Sequence, residues 1–195
     1  MTNQRHLVFL LLAILLQSVH SEPASKLDEI FTHLRARLDL ASDIALIKLK
    51  TCKLIEDQTR EGEILAKATS EGTKQGLTKE QVETFYKAQM EANKMIQYNV
   101  IALNKTLSSA SPKNNLAQIR TQINELDAKI LLLIKPAVTE LQSSNSSQVC
   151  LEAVAKVVAG DPQKADYYKV AVVRSAALFT DTCLTAPTCK AEDPK

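Results

Sequence analysis

The sequence predicts an all-α protein: a single helical domain of about six helices with a long N-terminal helix. Helix-breaking residues are scarce, with 4 glycines and 6 prolines in 195 residues. Apolar residues recur every three to four positions through most of the chain, and no segment shows the alternation typical of strands. The length suits one domain with its own hydrophobic core.

The N-terminus is predicted to be a signal peptide covering residues 1–21. A short polar start precedes an aliphatic run that is too brief to span a membrane, and small residues precede the predicted cut before Glu22. The mature chain, 22–195, is therefore expected to be secreted, or periplasmic in a bacterium, with no membrane association. In a eukaryotic source, the sequons at Asn104 and Asn145 are potential glycosylation sites in predicted loops.

Composition excludes several classes of function. Basic and acidic side chains nearly balance in the mature chain, which argues against a nucleic-acid partner. Only His33 remains once the signal is removed, so histidine-based triads and multi-histidine metal sites are excluded. No C-x-x-C pair supports zinc, so no metal site is expected.

Start and stop signals divide the chain into helices. Asp57 is a predicted N-cap after a break at residues 55–57, and Thr78 with Gln81 forms a capping box. Pro136 should kink the fourth helix or end it early. The helices are predicted at 25–54, 57–70, 78–103, 116–141, 148–158 and 164–179.

The mature chain keeps four cysteines: Cys52, Cys150, Cys183 and Cys189. In an exported protein they can pair in three ways. A Cys150–Cys183 bridge would staple the two C-terminal helices into an antiparallel pair. Cys52 falls in the predicted long helix, where it could be a buried thiol, and its pairing with Cys189 stays open.

Basic side chains gather beside faces that should be buried. Arg37 and Lys48 are eleven residues apart, so they lie only about 20° apart around a helix, on the shoulder of its apolar stripe. Arg60 is the third residue after the Asp57 cap, and Arg120 lies at the edge of the apolar stripe of the fourth helix. Such converging cations predict a pocket for an anion.

The third helix places amides near its apolar face. Gln89, Asn93 and Gln97 follow one another at four-residue intervals. A buried amide without partners costs roughly 1–3 kcal/mol, so these groups must bond each other, the backbone, water or a ligand. An amide ladder between helices is one explanation. With the cations nearby, a polar ligand pocket is the better one.

The ordered set of these residues resembles the AroQ-class all-α chorismate mutases. The signal peptide, the C-terminal extension and the Cys150/Cys183 spacing resemble the secreted, gamma subclass in particular. The resemblance implies a Claisen rearrangement of chorismate to prephenate without a cofactor, in a homodimer whose sites are each built within one protomer. The residues that carry it are Arg37-x10-Lys48-x6-Ile55-Glu56-Asp57-x2-Arg60, then Asn93-x3-Gln97, then Arg120.

The resemblance also implies a role for each residue. Lys48 and Gln97 would donate hydrogen bonds to the ether oxygen of the substrate, where negative charge grows as the C–O bond breaks. Catalysis is thereby assigned to Lys48, Gln97 and Arg60. The other implied substrate contacts are Arg37 and Arg120, which with Arg60 bind carboxylates, Asn93 in the carboxylate region, and Asp57, which contacts a hydroxyl or organises the helix start.

The sequence departs from the family pattern at two positions. Gln97 stands where some secreted members have glutamate, which must be protonated to donate a hydrogen bond, so a flatter pH profile is expected. Ile64 stands one turn after Arg60, where members can carry a polar residue, so that contact is lost.

Two rival functions remain open at this stage. A secreted helical carrier of a small dicarboxylate, or an inactive scaffold, would keep the arginines without needing Lys48 and Gln97 together. An effector acting only through protein contacts would leave the interior amides unexplained. The expected dimer rests partly on Leu27, Leu34 and Leu38, which a thin helical hairpin would expose to a partner.

Overall fold

A computed structural model describes residues 25–104, 111–144, 147–159 and 165–184, and all regular structure within these ranges is helical. This confirms the all-α prediction. No helix in the same ranges is both long and apolar enough to cross a membrane. The helices are α1 (Lys26–Asp39), α2 (Ala41–Lys50), α3 (Gln58–Lys74), α4 (Lys79–Asn104), α5 (Leu116–Gln142), α6 (Ser147–Ala159), α7 (Asp166–Ser175) and α8 (Ala177–Leu184).

The predicted long first helix is formed by α1 and α2. Only Leu40 separates them, and its φ of −72° and ψ of −17° stay in the right-handed helical region, so the chain barely deviates there. The Ser25 hydroxyl caps the start by accepting a hydrogen bond from the Asp28 amide. In the same way α7 and α8 are separated only by Ala176. The eight segments thus amount to the six helical stretches expected.

The end of α2 corrects two expectations. The helix stops at Lys50 rather than Leu54, because Cys52 adopts a left-handed conformation with φ of 51°. The Lys53 amide donates to the Lys48 carbonyl at 2.9 Å, the long-range bond of a Schellman C-cap. The prediction that Cys52 is a buried thiol is wrong: it lies just past the helix and is exposed.

The predicted caps of α3 and α4 are confirmed. The Asp57 carboxylate accepts from the Arg60 amide at 3.1 Å, which makes Arg60 the third residue of α3. Thr78 and Gln81 form the reciprocal bonds of a capping box, at 3.1 and 2.9 Å.

Of the two effects expected of Pro136, a kink or an early end of the fourth helix, the early end does not occur, because α5 continues to Gln142. Proline removes the hydrogen bond to the Leu132 carbonyl and crowds it, and Leu132 is exposed.

The core is formed between the N-terminal and C-terminal helices. Phe179 of α8 contacts Phe31 of α1 and Phe85 of α4, with ring centroids 5.7 and 6.1 Å apart. Helix α1 packs along α5, and α4 packs along α7. Because these helices cover α1 within the chain, Leu27, Leu34 and Leu38 are at most 2% exposed. The argument that they await a dimer partner is therefore wrong.

The predicted Cys150–Cys183 disulfide is present and joins α6 to α8, with the two Cα atoms 5.5 Å apart. The predicted staple of the C-terminal helices is thus confirmed. The predicted signal peptide, Cys189, Asn145 and the Asn104 side chain lie outside the described residues.

Candidate active site

A cavity of about 850 Å³ lies among α1 to α5 and the turn between α2 and α3. Its walls include every residue that the sequence singled out for substrate binding, although these come from five helices. They are Arg37, Lys48, Asp57, Arg60, Asn93, Gln97 and Arg120.

Arg37 is buried in the cavity wall and is only 4% exposed. Its Nε donates to Oδ1 of Asp127, on α5, at 2.9 Å. A buried guanidinium requires such an acidic partner, and its terminal N–H groups remain suited to a planar anion. Asp127 was not predicted from the sequence, although it lies two turns after Arg120 and hence on the same face of α5.

Lys48 projects from the last turn of α2. Its Nζ donates to the carbonyl of Ile55, in the turn before α3, at 2.7 Å. Partial burial lowers the pKa of Lys48, while the charges of Asp57, Glu61 and Glu56 oppose that change. An ammonium has three N–H donors, so the turn fixes the ammonium and leaves donors for a ligand.

Two of the three predicted amides form a pair on the cavity wall. Gln97 Nε2 donates to Asn93 Oδ1 at 2.6 Å, and Gln97 is 4% exposed. The Gln97 Oε1 has no hydrogen-bond partner among the described residues. Gln89, in contrast, donates to the Ser175 carbonyl on α7 at 3.1 Å and is absent from the cavity wall. Gln89 is thus held by the backbone of another helix and belongs neither to an amide ladder nor to the ligand pocket.

The opposite side of the cavity is more open. The Arg60 side chain is 44% exposed, and its Nη1 donates to Glu63 Oε2 at 2.9 Å. Arg120 is also exposed where it borders the cavity. One buried arginine and two exposed ones thus border the same space.

The wall contains a lysine that was not predicted. Lys94 of α4 is 13% exposed, and its Nζ lies 2.9 Å from Glu56, 2.9 Å from Glu91 and 3.4 Å from Glu61. Burial alone would favour the neutral amine, but the hydrogen bonds to Glu91 and Glu56 raise the pKa of Lys94 well above its usual value. Lys94 therefore carries a fixed positive charge.

The remaining wall is largely apolar. Ile64 lines the cavity at the position where a polar contact was expected to be lost. Its acidic neighbours have other partners, since Glu61 faces Lys94 and Glu63 faces Arg60. No cluster of histidine, cysteine and carboxylate side chains suited to a metal occurs in the described ranges. Fixed cations and amide donors can bind a small polyanion and stabilise developing negative charge.

Comparisons with known proteins agree with this geometry. Residues 28–98 match the family described as chorismate mutase type II. The fold is similar to a chorismate mutase from Burkholderia phymatum, with 25% identity and a TM-score of 0.68, covering 77% of this chain and 93% of that one. It is also similar to a chorismate mutase from Burkholderia thailandensis, with 19% identity and a TM-score of 0.70, covering 79% of this chain and 98% of that one. A third similar structure is a secreted chorismate mutase from Yersinia pestis, with 22% identity and a TM-score of 0.56, covering 77% of this chain and 94% of that one.

Proposed function

We propose that this chain, whose residues 28–98 match the chorismate mutase type II family, is a member of that family and converts chorismate to prephenate. The observation that carries the proposal is the convergence of the seven predicted residues on one cavity. Arg120 lies beyond the residues that match the family and still reaches the same wall, which supports a site built within one chain.

The reaction needs positioning and charge stabilisation rather than a nucleophile. As the C–O bond of the enolpyruvyl ether breaks, negative charge grows on the ether oxygen. The Lys48 ammonium and the Gln97 amide donate hydrogen bonds to that oxygen. Both groups are held in advance, Lys48 by the Ile55 carbonyl and Gln97 by Asn93, so little reorganisation is needed during the reaction.

Arginines bind the two carboxylates of the substrate. Arg37 offers its terminal N–H groups at the buried side, while Asp127 holds its Nε. Arg60 and Arg120 close the exposed side, where their flexible side chains can follow the ligand. Asp57 starts α3 and thereby sets the direction of Arg60. Asn93 acts chiefly by orienting Gln97.

The first test is turnover. The chain starting at Glu22 is mixed with chorismate, the loss of chorismate absorbance is followed, and prephenate is identified in the product by NMR. We expect saturable conversion that Arg60→Ala lowers by about 10²-fold or more, because a carboxylate loses its charged partner. Arg174→Ala, at an exposed position of α7 outside the cavity wall, serves as the matched control. Chorismate binding without conversion would instead identify a carrier.

The expected export and dimer remain parts of the proposal. The Cys150–Cys183 disulfide supports an oxidising compartment. N-terminal sequencing of the protein collected outside the cell should begin at Glu22; a retained leader would contradict the signal peptide. Light scattering should give twice the mass of the chain. A monomer with full turnover would refute the dimer and leave the catalytic proposal intact, because one chain supplies the cavity.

A further inference from the structure

The three carboxylates around Lys94 come from different parts of the chain. Glu56 precedes the Asp57 cap, Glu61 lies in the first turn of α3, and Glu91 lies one turn earlier on α4. The Glu56 carboxylate also accepts from the Tyr98 hydroxyl at 3.0 Å. Lys94 therefore joins α4 to the turn and helix start that border the cavity.

Two of these carboxylates also act on Lys48. The charges of Glu61 and Glu56 both favour the charged form of the Lys48 ammonium, so both lie within electrostatic reach of it. In the structure, each is bonded to Lys94 instead. Without Lys94, the Lys48 ammonium would be one of the cations left within electrostatic reach of these two carboxylates, and Lys53 also lies on this wall.

We propose that Lys94 is a positioning residue that holds the Glu56 and Glu61 carboxylates away from Lys48. The inference rests on the proposed function, since it assigns to Lys94 the availability of the ammonium that contacts the reacting oxygen. Lys94 touches neither the substrate ether nor its carboxylates in this account. Its second effect is to neutralise an acidic wall that would repel a substrate with two negative charges.

The test replaces Lys94 by methionine, which keeps the length of the side chain and removes its charge. We expect Lys94→Met to lower kcat/KM by about 10- to 100-fold, with kcat reduced because Lys48 is engaged by a carboxylate. The control is Lys87→Met on the same helix, which removes a lysine paired with Glu83 on α4 and is expected to keep wild-type kinetics. Thermal unfolding of both variants verifies that they fold.

A second variant separates electrostatic competition from simple loss of a link between helices. Lys94→Met combined with Glu61→Gln removes one competing carboxylate but restores no bond between α3 and α4. The proposal predicts that the double variant regains at least about a third of the kcat that Lys94→Met loses, because one carboxylate fewer competes for Lys48. A double variant no faster than Lys94→Met alone would overturn it.

The two levels of the account fail separately. Absence of turnover in the wild-type chain would reject the proposed function before Lys94 is considered. Normal wild-type turnover together with wild-type kinetics for Lys94→Met would reject only the role of Lys94.

Discussion

At the scale of single residues, the cavity contains groups whose hydrogen bonds are incomplete. The Tyr86 hydroxyl is buried and, like Gln97 Oε1, has no partner among the described residues. Burial and the charge of Asp127 raise the pKa of Tyr86, against a smaller opposing effect of Arg37, so the hydroxyl stays protonated. Unpaired polar groups are typical of sites that exchange folding stability for ligand binding.

Tyr86→Phe should therefore stabilise the protein. The substitution removes a buried hydroxyl without a partner and keeps the ring that packs edge-on against Phe85. We expect the free energy of unfolding in urea to rise by about 1 kcal/mol. The matched control is Tyr168→Phe, which loses a hydrogen bond to the Arg35 carbonyl and should lower stability by a similar amount. Equal destabilisation of both variants would contradict the assignment.

The proposed role of Gln97 makes a prediction about how activity depends on pH. A glutamine donates at any pH, whereas a glutamate donates only while protonated, so Gln97→Glu should retain activity at low pH and lose it as pH rises. We expect a loss of about 10²-fold across the titration, measured as kcat/KM between about pH 5 and 8. The wild type and Gln75→Glu, at the exposed end of α3, should vary little over this range. A flat profile for Gln97→Glu would remove Gln97 from the mechanism.

At the scale of helices, the site depends on how α2 ends and α3 begins. The Schellman C-cap at Cys52 ends α2 at Lys50, and in the turn between it and the Asp57 cap the Ile55 carbonyl accepts from Lys48. The N-cap at Asp57 could be predicted because its signal is local. The earlier stop at Lys50 could not, since it depends on a non-glycine residue taking a left-handed conformation that no neighbouring residue indicates.

That conformation gives a prediction about α2. Cys52→Gly removes the Cβ that disfavours φ of 51°, so the free energy of unfolding should rise by about 0.5–1 kcal/mol despite the greater chain entropy of glycine. Cys52→Ala removes the thiol but keeps the Cβ, and should leave stability unchanged. Chemical denaturation measures both. A loss of stability for glycine with none for alanine would argue against a strained C-cap.

At the scale of the whole molecule, the chain separates into helices that line the cavity and a covering layer. Among the residues that the structure describes, those lining the cavity come from α1 to α5 or the turn after α2, and none comes from α6 to α8. The C-terminal helices instead cover α1 and α4. Periodicity predicted that Leu27, Leu34 and Leu38 form an apolar face, but it could not show whether a partner or the chain itself covers them.

Helical periodicity is equally limited in predicting the candidate site. The wall positions of Arg37 and Lys48 follow from helical spacing within one stretch of sequence. Asp127 and Lys94 could not be predicted in this way, because Asp127 bonds Arg37 from 90 residues away along the chain and Lys94 bonds Glu56 from 38 residues away. Such contacts depend on how helices pack, which spacing alone does not specify.

The covering layer gives a prediction that separates stability from activity. Replacing both cysteines of the disulfide, Cys150→Ala with Cys183→Ala, opens a loop of 33 residues and should lower the free energy of unfolding by about 3–4 kcal/mol. At a temperature where the variant stays folded, kcat/KM should remain within about twofold of wild type, because neither helix lines the cavity. A large loss of activity in the folded variant would indicate coupling between the layers.

The most direct test of the central claim is kcat/KM for chorismate in Lys48→Met beside Lys50→Met. The two lysines lie two residues apart on α2, but only Lys48 lines the cavity. Our account predicts a loss of about 10²- to 10³-fold for Lys48→Met, through loss of the donor to the ether oxygen, and near wild-type kinetics for Lys50→Met. Full activity in a folded Lys48→Met protein would contradict it.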